Sequence, residues 1–259
     1  MGIRLRAAGR LRRRRMALGS TALATTLGLG LAGLPAPAAA ATTGPVVVGF
    51  GDSVPTGLHC GCTNFVQQYA TAIGGTANNL AQNGSTSLNL VHLLQTARAW
   101  KAVENASVVV IMTGANDYNG AFYAVSNGAS PSQYNAVTKQ VKANVTTAVN
   151  KIRSINPNAD VVIVDYWAAM EAGKVAQQNY NAATQKAALE STEAVDGALW
   201  AVAQSLHTDW LSTYQLYYRP GIDVTSLLAS DGNHPDAAGT ALIADALNAL
   251  LPVTTLLGL

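Results

Sequence analysis

The order of elements along the chain predicts an α/β protein, with a mostly parallel five-stranded sheet between two layers of helices. Three observations carry this expectation. Short, continuous β-branched runs recur at residues 46–50, 107–113 and 160–166, the pattern of strands covered on both faces. Longer stretches that suit helices separate them, and such alternation favours a sheet with helices on both sides. No internal repeat or long linker divides residues 42–259.

The elements follow in order. Val46-Val47-Val48-Gly49-Phe50 reads as the first strand, and residues 64–73 as the first full helix. A weaker strand is expected at 77–81, then a helix over 88–103. The run Val108-Val109-Val110-Ile111-Met112 is the next buried strand. A helix over 133–155 follows, with Ser132 as a cap or first-turn residue and Asn156-Pro157 as its stop. Val161-Val162-Ile163-Val164 forms another strand, followed by a helix over 175–206 and a faint strand near 208–211. The last helix is expected over 235–250, with Asp236 at its start.

The first forty residues differ from the rest. Seven of the sixteen Lys and Arg residues lie between Arg4 and Arg15. An apolar stretch runs from Met16 to Leu34, and Pro35-Ala36-Pro37 leads into small residues from Ala38 to Ala41. Charged, apolar and small-residue segments in that order are the layout of a secretory signal peptide. We therefore expect a leader at 1–40, a folded domain at 41–259 and a secreted, extracellular location. Arg13-Arg14-Arg15 also permits twin-arginine export. The alternative is a membrane anchor, since residues 16–34 are about long enough to span a bilayer; the Gly and Thr content and the small-residue end favour cleavage. No later segment is long and apolar enough to span. Gly28-Leu29-Gly30-Leu31-Ala32-Gly33 matches a dinucleotide fingerprint, but no strand precedes it, so it carries no weight.

After the leader, nine Lys and Arg stand against fourteen Asp and Glu, a balance of −5 with His neutral. No basic stripe remains, which argues against nucleic acid as a partner. The only two cysteines, Cys60 and Cys62, flank Gly61. In an exported chain a local disulfide is the first expectation, ahead of a free thiol pair. A metal held with His59 comes third, because no further ligands stand nearby in sequence.

Ligand sites in open α/β sheets gather beyond the carboxyl ends of the strands, so residues just past each strand matter most. Gly51-Asp52-Ser53 ends the first strand, where a serine can expose its hydroxyl and offer its own backbone N–H. Read alone, Ser53 would be a cap or turn serine. Gly84 follows the weak strand. Gly114-Ala115-Asn116-Asp117 follows a strong one, where a carboxamide can donate to a developing oxyanion and Gly114 can let backbone approach a ligand. Asp231-Gly232-Asn233-His234 lies near the C-terminus. A histidine accepts a serine proton only if its other nitrogen is held and its cation stabilised, which a carboxylate three residues earlier can do when the turn folds back. His59, His92 and His207 lack such a local carboxylate, although Asp209 is near His207.

Taken together and in this order, the four groups resemble the GDSL/SGNH hydrolase family over residues 46–250. The resemblance implies a flavodoxin-like three-layer fold and a triad of Ser53, His234 and Asp231. It also implies an oxyanion hole made by the N–H groups of Ser53 and Gly84 and the side chain of Asn116. The activity implied is ester hydrolysis without metal or organic cofactor, by a protein expected to act as a monomer. The substrate would be a small-molecule, lipid or carbohydrate ester, so the family's range includes carboxylesterases, phospholipase-like acyl hydrolases and carbohydrate deacetylases. The segments 118–134 and 166–173 are expected as loops around the substrate, with Tyr118, Phe122, Tyr123, Tyr166 and Trp167 either pocket wall or ordinary packing. Competing templates are missing: there is no Gly-x-Ser-x-Gly elbow, His-Glu-x-x-His motif or Walker loop. The carboxylates are too few and scattered to pick out a glycosidase pair. An inactive carbohydrate- or surface-binding module is the non-enzyme alternative, and the complete four-block set argues against it.

Overall fold

In the computed structural model, residues 44–252 are described; the expected leader at 1–40 lies outside them. Five strands form one sheet: β1 (Val46–Gly51), β2 (Thr76–Asn79), β3 (Val108–Met112), β4 (Asp160–Val164) and β5 (Asp209–Leu211). Their order is β2-β1-β3-β4-β5 and every pairing is parallel. All five residues of β3 are buried, as its unbroken apolar run requires. The edge strands β2 and β5 are partly exposed, which is why their sequence signal is weak.

Ten α-helices are described: α1 (Ser53–Thr56), α2 (Phe65–Ala72), α3 (Ser87–Leu93), α4 (Ala97–Glu104), α5 (Asn119–Ser126), α6 (Tyr134–Ile155), α7 (Gly173–Asn179), α8 (Ala182–Leu206), α9 (Thr213–Tyr217) and α10 (Ala237–Leu250). The layers are set by α2 packing on α10, and by α6 packing on α3, α4 and α8. The three-layer α/β/α sandwich expected from sequence is therefore present. None of the described helices is long and apolar enough to cross a membrane.

Caps explain where the helices differ from the sequence reading. The single helix expected over 88–103 is two, because the Thr96 side chain accepts from the Ala99 N–H and starts α4 afresh. The helix expected over 175–206 breaks likewise at Asn181, which accepts from Thr184. Asp236 does cap α10, accepting from Gly239. Ser132 is a first-turn residue, inside a short 3₁₀ turn ahead of α6 that Ser130 caps. The segment 118–134 is no simple loop, since α5 lies within it.

The strand order puts a topological switch point between β1 and β3, where chain connections leave in opposite directions and open a crevice. Gly51 ends β1 at φ +148, and a Cβ there would sit 1.9 Å from the Met112 carbonyl oxygen. The chain can turn toward Ser53 beside β3 only because that side chain is absent.

Candidate active site

Ser53 is the first residue of α1, directly beyond β1. The side chain of Asp52 caps this helix by accepting from the Val54 N–H at 3.1 Å. Asp231 and His234 lie in the turn ahead of α10. One Asp231 oxygen accepts the backbone N–H groups of Asn233 (3.0 Å) and His234 (3.1 Å), folding the turn back on itself. The other lies 2.5 Å from His234 Nδ1. His234 Nε2 in turn lies 2.9 Å from Ser53 Oγ. Serine, imidazole and carboxylate from opposite ends of the chain thus form one hydrogen-bonded line. Burial alone would raise the Asp231 pKa; the His234 ring and the two backbone donors outweigh it and hold the carboxyl below its ordinary range. With Nδ1–H engaged by the carboxylate, the Nε2 lone pair is left facing the serine hydroxyl.

Two further segments meet beyond the ends of β1 and β3. Gly84 lies in a turn closed by Ser85 N–H donating to the Gln82 carbonyl, and the Gln82 N–H donates to the Gly51 carbonyl at 2.9 Å. Asn116 follows β3 in a 3₁₀ turn, and its amide donates to the Ser85 carbonyl at 3.0 Å. A carboxamide carries two N–H donors, so one can tether Asn116 to the Gly84 turn and one remains. Gly114 has φ +122, and a Cβ there would meet Val195 at 2.9 Å and Val141 at 3.2 Å, so its missing side chain leaves room for the flanking helices.

Sequence reasoning missed three sets of residues. The first is a clamp behind Asn116: both Asp117 oxygens accept from Ser87, through its backbone N–H (2.8 Å) and its hydroxyl (2.6 Å). Asn144 of α6 donates to the same hydroxyl at 2.9 Å. The clamp ties the turn after β3 to the start of α3, and only its residue types, common in turns, were visible in sequence.

The second is a buried pair beneath the nucleophile, with Tyr166 OH donating to Asp52 at 2.5 Å. Burial pushes the Asp52 carboxyl up to about 6 from 3.8, against the lowering effects of Tyr166, Val54 and His234. Between those values the folded chain holds a proton that the unfolded chain has released. The associated stability is complete below the unfolded value and is lost as pH rises through about 6, a cost of about 3 kcal/mol at neutral pH. We expect Asp52→Asn, which does not titrate, to gain thermal stability relative to wild type as pH rises from 4 to 7. Melting curves across that range check it; a difference that stays constant with pH would refute the assignment. Asp165 and Asp196 are raised in the same direction by burial, so the comparison must be made between variant and wild type.

The third is His59. Its Nε2 is 3.9 Å from Asp231 Oδ2, and its ring centroid is 5.2 Å from that of His234. The fold thus brings distant partners to a histidine that has none nearby in sequence. Cys60 and Cys62 lie side by side in the adjoining loop, with Cα atoms 5.1 Å apart.

An apolar pocket of about 110 Å³ opens beside this crevice. Tyr118, Phe122, Tyr166 and Trp167 line it, together with Met170 and Val195, whereas Tyr123 is 60 % exposed and does not. Ala115, next to Asn116, and Tyr166, bonded to Asp52, are among its lining residues.

A serine–imidazole–carboxylate line thus stands beyond the strand ends of a parallel α/β sheet. The sequence profile of the GDSL-like Lipase/Acylhydrolase family matches residues 49–242, and the chain belongs to that family. Among solved structures, it is similar to the lipase Lip_vut3 from a goat rumen metagenome, at 16 % identity and TM-score 0.66, over 80 % of this chain and 97 % of that one. It is also similar to an extracellular lipase from Streptomyces rimosus (17 %, TM-score 0.61, 80 % and 99 % covered). A phospholipase A1 from Streptomyces albidoflavus matches at 16 % and TM-score 0.57, with 80 % and 100 % covered. At such identities the likeness is one of fold. No curated protein matches by sequence.

Proposed function

We propose that the protein is a secreted serine esterase that hydrolyses carboxylic esters of short acyl chains through an acyl-enzyme. The observation that carries this reading is the Asp231–His234–Ser53 line, with spacings of 2.5 and 2.9 Å. His234 Nε2 takes the Ser53 proton while Oγ attacks the ester carbonyl, and Asp231 steadies the imidazolium. The N–H groups of Ser53 and Gly84 and the untethered N–H of Asn116 receive the oxyanion. His234 returns the proton to the leaving alcohol; water then attacks the acyl-enzyme with His234 again as base.

The pocket between Phe122, Trp167 and Met170 is assigned to the acyl group. An apolar cavity of about 150 Å³ holds a benzene ring. At about 110 Å³ this one suits fewer carbons. A panel of p-nitrophenyl esters tests both activity and size. We expect kcat/KM to peak near butyrate and to fall steeply for chains of about ten carbons or more. No turnover of any ester in the panel would refute the esterase reading, and a peak at long chains would refute the pocket assignment.

The leader at 1–40 and the hydrolase domain at 41–259 belong to the same proposal, as does a bond between Cys60 and Cys62. Intact mass and a non-reducing peptide map of exported protein test these together. The expected mature chain begins within a few residues of Ala41 and yields one linked loop peptide. Retention of Arg12–Arg15, or two alkylatable thiols, would count against it.

A further inference from the structure

The loop between α1 and α2 sets His59 against the Asp231–His234 pair, and nothing in the proposed reaction uses it. The Leu58 N–H donates to the Ser53 carbonyl at 3.1 Å and the Cys60 N–H to Gly57 at 3.2 Å. His59 itself holds φ +63, a left-handed conformation uncommon for a residue with a side chain. Its side chain is 54 % exposed, beside the partly buried carboxylate of Asp231. One ligand atom from each of His59, Asp231 and His234 lies within 4.8 Å of the other two.

We propose that His59, Asp231 and His234 form an inhibitory binding site for a divalent transition-metal ion of the zinc type. Two imidazoles and a carboxylate are borderline donors that suit zinc rather than magnesium. Ligand atoms about 2 Å from a tetrahedral ion stand roughly 3.4 Å apart. The 3.9 Å between His59 Nε2 and Asp231 Oδ2 is already near that spacing. The 2.5 Å between Asp231 and His234 Nδ1 is too short for two ligands of one ion, so that bond must open as the ion enters. Water supplies the remaining coordination.

The consequence follows from the imidazole. A ring nitrogen binds metal through its lone pair, so an ion on Nδ1 requires the neutral ring to carry its single proton on Nε2. The proton moves from one nitrogen to the other, with none gained or lost overall. Nε2 then donates toward Ser53 and cannot accept its proton. The ion therefore silences the base while leaving the fold in place. This consequence rests on the esterase reading; binding of the ion does not.

Two measurements on the full mature protein separate the questions. The first titrates zinc against hydrolysis of p-nitrophenyl butyrate in a buffer free of chelating anions. We expect reversible inhibition by zinc that EDTA relieves, and none from equal magnesium. His59→Ala, scored against its own zinc-free rate, should need at least about tenfold more zinc, since loss of even an outer-shell partner of a ligand typically costs that much affinity. The second uses Ser53→Ala, which needs no activity. Competed against a zinc-indicator dye, it should withdraw one ion per chain, and His59→Ala in that background should weaken the withdrawal. Equal zinc sensitivity with and without His59, equal inhibition by magnesium, or no zinc binding by Ser53→Ala would each overturn the site. Wild type without esterase activity, alongside His59-dependent zinc binding by Ser53→Ala, would uphold the site and overturn the esterase reading.

Discussion

Ser53→Ala is expected to fold as wild type and to lose acyl transfer, with kcat falling on the order of a millionfold, as for serine hydrolases stripped of their nucleophile. The hydroxyl lies 2.9 Å from His234 Nε2. Its loss removes the covalent path and leaves only what the oxyanion donors contribute. A fluorophosphonate probe provides a reading independent of substrate choice. Wild-type protein should carry one adduct, on Ser53, and the variant none. Hydrolysis by Ser53→Ala at the wild-type rate, or an adduct on another residue, would remove Ser53 from the mechanism.

Asn116→Ala is expected to lower kcat about a hundred- to a thousandfold, the usual cost of losing one oxyanion donor. The effect should fall on kcat with little change in KM, because charge on the carbonyl oxygen develops only in the transition state. The variant should still label at Ser53, more slowly. The tether from Asn116 to the Ser85 carbonyl makes the kinetic split informative. If the residue only holds the Gly84 turn in place, its removal should loosen substrate binding and raise KM. A wild-type kcat in Asn116→Ala would reduce Asn116 to that tether.

The central strands, the three residue groups that follow β1, β2 and β3, and the Asp231–His234 turn ahead of α10 were legible because each is encoded locally. Val108 to Met112 is apolar at every position, and burial on both faces demands that. Asp231 and His234 meet across a single turn, so their spacing in sequence is their spacing in the fold. The breaks at Thr96 and Asn181 were hidden inside continuous helical patterns, since one side chain accepting one N–H decides them. The contacts of His59 with Asp231, of Asp52 with Tyr166 and of Ser87 with Asp117 join separate segments. No periodicity reports such meetings; they follow from the sheet order, which brings the ends of β1, β3 and β4 side by side.

That sheet order also governs when the chain can first act. Val47 of β1 faces Ala77 on one side and Val108 on the other, so its neighbours are reached only through long loops of chain. Such distant pairings make closure of a parallel sheet slow compared with its helices. Ser53 is made early during synthesis, while His234 arrives just before α10. A nascent or half-folded chain therefore holds a serine with no partner to activate it. The hydrogen-bonded line from Asp231 through His234 to Ser53 is complete only once the chain has been made past residue 234.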